Sequence, residues 1–69
     1  MIIHINGELH ELAHGATVAD AVARVRPNAE DVPPFAVALN LQFVPRAHYA
    51  STPLRDGDRV EIIAPINGG

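Results

Sequence analysis

One short segment with helical periodicity, flanked by segments with strand character, constrains the fold of this 69-residue chain most strongly. Its apolar residues recur at spacings of three and four, which predicts one apolar stripe on a helix. The stripe consists of Val18, Ala21, Val22 and Val25. Thr17 to Asp20 resembles a capping box at the helix start, and Pro27 ends the helix. A helix of about nine residues is too short to be stable alone, so it must pack on a sheet.

Five apolar segments bounded by turn residues favour strands. They comprise residues 2–5, 8–12, 35–39, 41–44 and 59–64, with a single helical turn expected at 46–51. Asn6-Gly7 is the strongest short hairpin signal, whereas Asn40-Leu41 leaves the turn type open because leucine disfavours positive φ. The order β-β-α-β-β-β predicts one α+β domain, a mixed sheet of four to five strands wrapped on one main helix. Strand alternation assigns Ile3 and Ile5 to the core.

Charge and composition exclude several classes of function. The net charge is −3 and every cation is an arginine, so a polybasic face for nucleic acid or membrane is not expected. The chain has no cysteine, no apolar run of transmembrane length and no signal-peptide pattern. We therefore expect a soluble, cytoplasmic domain.

The sequence ends on Gly68-Gly69. Two glycines without Cβ atoms can enter a cleft too narrow for side chains, and they would present an ionised carboxylate there. A carboxylate is inert to nucleophiles until an enzyme activates it, so this ending predicts a carrier or a protein substrate and not a catalyst. A frayed tail is the alternative. The lack of lysine is explained most simply by a compositional shift from lysine to arginine, and it also fits an activated acyl group that must avoid amines.

Motifs along the whole length resemble the ThiS family, the sulfur carriers of thiamine biosynthesis, which have the β-grasp (ubiquitin-like) fold. The resemblance rests on the opening strand with its Asn-Gly turn, the Thr-Val helix start, Ala38-Leu39-Asn40, Phe43-Val44-Pro45-Arg46, the Asp-Gly-Asp turn at 56–58 with the strand after it, and Gly68-Gly69.

This resemblance implies a mechanism. An adenylating enzyme of the ubiquitin-activating type would use ATP and Mg²⁺ to form an acyl adenylate at Gly69. A persulfide sulfur donor would then convert Gly69 to a thiocarboxylate, and thiazole synthase would consume the sulfur. The carrier itself would bind no cofactor and would not be an enzyme. Residues 65–69 would form a flexible tail, with Pro65, Ile66, Asn67 and Gly68 inserted into the partner.

The solvent face of the sheet is expected to dock the activating enzyme. If Val60 and Ile62 point to the helix, then Ile63 faces outward beside Ile2 or Ala38. A small apolar patch near an active terminus is typical of a binding surface, and scattered exposed aliphatic residues are the alternative.

Other interpretations stay open. The Asp-Gly-Asp turn, the Gly-Gly end and Pro65 in the tail are also compatible with a molybdopterin-synthase small subunit (MoaD-like) or another ubiquitin-like sulfur carrier. A plain interaction domain would not need Gly68-Gly69 at all. The four histidines (His4, His10, His14 and His48) are expected to be solvated, with no metal site, and Tyr49 is expected to be half-buried near Phe43 and Leu54.

Overall fold

The computed structural model describes residues 1–25 and 35–63, and within these ranges the chain forms five strands, one α-helix and one 3₁₀ helix. In chain order these are β1 (Ile2–Ile5), β2 (Glu8–Glu11), α1 (Val18–Val25), β3 (Ala36–Leu39), β4 (Gln42–Val44), the 3₁₀ helix (Arg46–Ser51) and β5 (Arg59–Ile63). The predicted element order is confirmed. The predicted ends of the strands agree with the structure to within a residue.

The strands form one mixed sheet in the order β2-β1-β5-β3-β4. β5 is central, because it pairs parallel with β1 on one side and antiparallel with β3 on the other. The two outer pairs, β1 with β2 and β3 with β4, are antiparallel hairpins. β5, the last strand of the described residues, is therefore hydrogen-bonded on both edges.

The core lies between one face of the sheet and α1. Ile3 and Ile5 are fully buried, as the strand alternation predicts. The helical stripe is also confirmed, except that Val25 at the end of α1 is about one-third exposed (37%). The buried cluster comprises Ile3, Ile5, Val18, Ala21, Val22, Val37, Val44, Leu54, Val60 and Ile62.

Thr17 and Asp20 fix the start of α1. The Asp20 carboxylate accepts the Thr17 backbone N–H at 2.7 Å, which is one half of the predicted capping box. The Thr17 hydroxyl donates to the same carboxylate oxygen at 3.2 Å. Backbone hydrogen bonds from Val18 to Thr52 and from Leu54 to Ala16 join the helix start to the segment that leads into β5.

Tyr49 of the 3₁₀ helix is half-buried against the core, as expected, but its aromatic neighbour differs from the expected one. Its ring stacks on Phe35, with the centroids 6.4 Å apart. Phe43 lies on the opposite face of the sheet, because it alternates with the buried Val44 along β4. Neither helix of the described ranges is long and apolar enough to cross a bilayer.

Candidate partner-binding surface around the last strand

The predicted carrier residue follows the central strand. β5 ends at Ile63, and the chain continues for six residues to Gly69. Gly69 and the predicted tail residues Pro65, Ile66, Asn67 and Gly68 lie outside the described residues, as does the connection at 26–34. The described part of the site is thus the end of β5 at Ile63, which we call the base of the tail, and the sheet surface around it.

Two turn asparagines hold β5 from opposite sides. Where β1 ends, Asn6 donates its backbone N–H to the Val60 carbonyl at 3.0 Å, and its side-chain Oδ1 accepts the Ile62 N–H at 2.8 Å. On the other side, Asn40 Oδ1 accepts the Arg59 N–H at 3.0 Å, and Asn40 Nδ2 donates to Asp58 Oδ1 at 3.0 Å. Both amide side chains therefore replace strand partners where the neighbouring strands stop.

Alternation along β5 leaves Arg59, Glu61 and Ile63 on the face away from the helix. Ile63 is 57% exposed, which agrees with the sequence prediction that it faces outward. The residue directly opposite Ile63 on β3 is Ala36, and Ala38 follows on the same face. Phe43 lies opposite Ala38 and is 70% exposed. We call Phe43, Ala38, Ala36 and Ile63 the outer patch.

Ile2, the third residue of the predicted docking surface, is on the same face but not beside Ile63. His4 pairs with Arg59 in the parallel register of β1 and β5, so Ile2 lies two positions before that level and Ile63 four positions after it. Six positions along a strand correspond to about 20 Å. The structure thus brings Ile63 and Ala38 together and leaves Ile2, which is 41% exposed, near the other end of the sheet.

The tip of the β3–β4 hairpin is strained. Leu39 pairs with Gln42, so the loop consists of Asn40 and Leu41 alone. Their φ angles are 50° and 70°, which is the pattern of a type I′ turn and answers the question left open by the sequence. Asparagine tolerates this conformation, but leucine rarely adopts it. Leu41 is also 86% exposed, so packing within the described residues does not offset the strain.

The two carboxylates of the turn before β5 have structural partners. Asp56 accepts the Ile2 N–H at 2.6 Å and Asp58 accepts the Arg55 N–H at 2.7 Å, as expected for carboxylates that shape a turn. The described residues contain no group of three or more His, Asp or Glu side chains placed to hold a metal ion. His10 departs from the expectation of a solvated histidine, because its Nε2 is buried and has no hydrogen-bond partner among the described residues.

The sequence analysis did not predict that Ala36 and Phe43 belong to the outer patch, or that Leu41 is exposed. A signal for Phe43 was present. A two-residue turn at Asn40-Leu41 places residues 39 and 42 opposite each other, so Phe43 must oppose Ala38 on the solvent face.

Comparisons with known proteins agree with this geometry. A family model described as the ThiS family matches residues 3–69. The chain is 36% identical over 69 residues to a thiazole synthase from Paramagnetospirillum magneticum, and it spans about a fifth (20%) of the length of that protein. The crystal structure of the thiamine biosynthesis protein ThiS from Geobacter metallireducens superposes with a TM-score of 0.77, at 24% identity and over the full length of both chains. This structural likeness shows the β-grasp fold.

Proposed function

The chain belongs to the ThiS family of small sulfur carriers of thiamine biosynthesis, and from this premise we propose that the Gly69 carboxylate carries sulfur for thiazole formation. The observation that carries the proposal is that the family match runs to Gly69. The mixed sheet supports it, since Gly69 is the sixth residue after the central strand. In this proposal the chain is the protein substrate of other enzymes and not an enzyme itself.

The proposed chemistry begins with activation. A partner adenylating enzyme of the ubiquitin-activating type holds ATP and Mg²⁺, and a Gly69 carboxylate oxygen attacks the α-phosphate and releases pyrophosphate. A persulfide sulfur then attacks the acyl carbon and displaces AMP, which leaves an acyl disulfide. A thiol cleaves the S–S bond, so that Gly69 ends as a thiocarboxylate. Thiazole synthase transfers the sulfur to its substrate in exchange for an oxygen atom, which restores the carboxylate. We place the reaction in the cytoplasm, where ATP is available.

The composition of the chain suits an activated acyl group. No lysine or cysteine is present, so no side-chain amine or thiol of the carrier competes with the incoming sulfur nucleophile. We also propose that Pro65, Ile66, Asn67 and Gly68 enter the partner's active site together with Gly69. Pro65 has a restricted φ, which reduces the conformational entropy lost on insertion.

We propose that the outer face of the sheet docks the activating enzyme. Ile63 and Ala38 lie on this face near the end of β5, and the exposed Glu61 lies opposite Ala38. Ile2 belongs to the same face, but it lies about 20 Å from Ile63 along the strands, so it would contact the enzyme at a separate point. Six residues span at most about 20 Å, so an enzyme seated on this face has Gly69 within reach of its active site.

Removal of Gly69 tests the proposal. We expect ATP–pyrophosphate exchange by the activating enzyme to be lost when Gly69 is deleted, and also when one alanine is added after it, because the reacting carboxylate is then misplaced. Circular dichroism should show an unchanged fold in both variants, since the change lies beyond β5. Intact-mass spectrometry of the wild-type protein after sulfur loading should show one oxygen replaced by sulfur. Unchanged exchange in the deletion variant would contradict the proposal.

A further inference from the structure

We propose that Leu41 and Phe43, at the tip and on the second strand of the β3–β4 hairpin, are a contact for thiazole synthase that is separate from the tail and helps to select this partner. The inference rests on the proposed function, because it names a second surface for the partner that consumes the sulfur. We call Leu41 and Phe43 the hairpin anchor.

Exposure is the first observation. Leu41 and Phe43 are 86% and 70% exposed, more than any other large apolar residue of the described ranges. They are two residues apart, about 7 Å along the chain. Phe43 is opposite Ala38, whose small side chain covers little of the ring. Phe43 also shares the outer face of the sheet with Ala36 and Ile63, and exposed apolar residues grouped on one face are typical of protein-binding sites.

Backbone strain is the second, independent observation. The β1–β2 hairpin has the same two-residue turn with Gly7 at the second position, at φ 84°, where glycine is unstrained. The β3–β4 hairpin has Leu41 there instead, at φ 70°. A strained residue whose side chain is solvated contributes no packing that would explain it within the described fold. Strain of this kind is concentrated at functional positions.

The choice of partner rests on the distance between Phe43 and Ile63 and on the similarity to a thiazole synthase. Phe43 is two strands across from β5 and two positions before the level of Ile63, which places the two residues roughly 12 Å apart. A standard interface of about 800 Å² per partner covers both. Both proposed partners receive the tail, so the relative decides between them. In the Paramagnetospirillum magneticum protein, the segment similar to this whole chain makes up about a fifth (20%) of a polypeptide named thiazole synthase, which favours thiazole synthase as the partner.

Leu41→Gly separates this inference from a structural role. Glycine keeps the turn and relieves the strain, so the fold is retained while the side chain is removed. Leu41→Asn is a second variant, which tolerates positive φ and is polar. Leu9→Ala is the matched control, because Leu9 is 66% exposed on the same face at the β2 edge. Binding of each full-length variant to purified thiazole synthase is measured by calorimetry, and sulfur loading at Gly69 by intact mass.

We expect Leu41→Gly and Leu41→Asn to bind thiazole synthase about tenfold more weakly than the wild type, as is usual for truncation of an interface anchor, with unchanged sulfur loading. Leu9→Ala should bind as the wild type does. Equal affinity of Leu41→Gly and the wild type would overturn the inference. So would a parallel loss of sulfur loading, which would assign Leu41 to the activating enzyme. A wild-type protein that is never loaded would contradict the proposed function instead, and the affinities would still decide the role of Leu41.

Discussion

The β1–β2 and β3–β4 hairpins close with the same backbone turn, built from Asn6-Gly7 in the first and Asn40-Leu41 in the second. In both turns the asparagine has φ near 50° and its Oδ1 accepts a backbone N–H of β5. The first position therefore has a shared structural task, which is to hold the central strand where its neighbour ends. This task explains why asparagine occupies both positions, since it combines tolerance of positive φ with a side-chain acceptor.

The second position differs, and the difference separates folding from function. Gly7 meets the backbone requirement without strain, whereas Leu41 meets it at a cost of about 1–2 kcal/mol. Nothing in the anchoring of β5 requires a leucine, because the hydrogen bonds come from Asn40. The residues of the first turn thus favour stability alone. The second turn keeps an exposed apolar side chain in spite of the strain.

Asn6→Ala has the largest expected effect. It removes the acceptor of the Ile62 N–H, which is partly buried, and it places alanine at a positive φ. We expect a loss of about 2–3 kcal/mol in the free energy of unfolding, measured by urea denaturation. Asn40→Ala is the matched variant, and it should lose about 1–2 kcal/mol, because water can satisfy the exposed Arg59 N–H.

Asn6→Asp is the control for this pair. Aspartate keeps an oxygen acceptor and tolerates positive φ, so its loss should stay below about 1 kcal/mol. If Asn6→Asp and Asn6→Ala were equally destabilised, the hydrogen bond to Ile62 would not be the reason for the asparagine.

Gly7→Leu converts the first turn into a copy of the second. A Cβ at Gly7 meets no heavy atom within 4 Å, so the cost is conformational and not a clash. We expect a loss of about 1 kcal/mol in the free energy of unfolding, because the positive-φ strain is partly offset by the lower entropy of leucine in the unfolded chain. Gly7→Asn should lose less than about 1 kcal/mol, because asparagine is tolerated at positive φ. A loss below about 0.5 kcal/mol for Gly7→Leu would mean that leucine is not strained in this turn, and the strain argument for Leu41 would fail with it.

Local sequence patterns predict most of the fold. The alternation of Ile3, Ile5, Val60 and Ile62 predicts the buried face of the sheet, and with it the outward orientation of Ile63. These features depend on neighbouring residues and on the strand period of two. The sequence predicts the turn at Asn6, because Asn-Gly is a local signal. It does not predict that the Asn6 side chain accepts the Ile62 N–H, because this hydrogen bond joins residues far apart in the sequence.

The long-range register was not predictable from a single sequence. Parallel pairing of His4 with Arg59 places Ile2 about 20 Å from Ile63, and no local pattern fixes that offset. The burial of His10 Nε2 likewise depends on what packs over an edge strand. Leu41 shows the converse case, in which the register of two strands overrides the residue's own preference. Gly69 itself remains a proposal that rests on the family resemblance and the Gly-Gly ending.

Leu41→Gly has the smallest expected effect on stability. We expect it to raise the stability and to weaken the binding of thiazole synthase. Relief of the positive-φ strain is partly offset by the greater entropy that glycine has in the unfolded chain. We therefore expect a gain of about 0.5–1 kcal/mol in the free energy of unfolding, seen as a higher urea midpoint with an unchanged slope. If Leu41 had no role in binding, the variant would be more stable and would bind thiazole synthase as well as the wild type does. If Leu41 packed within the fold, the variant would be less stable. A variant that is more stable and binds more weakly separates the hairpin anchor from both alternatives, because stability and function then oppose each other at one residue.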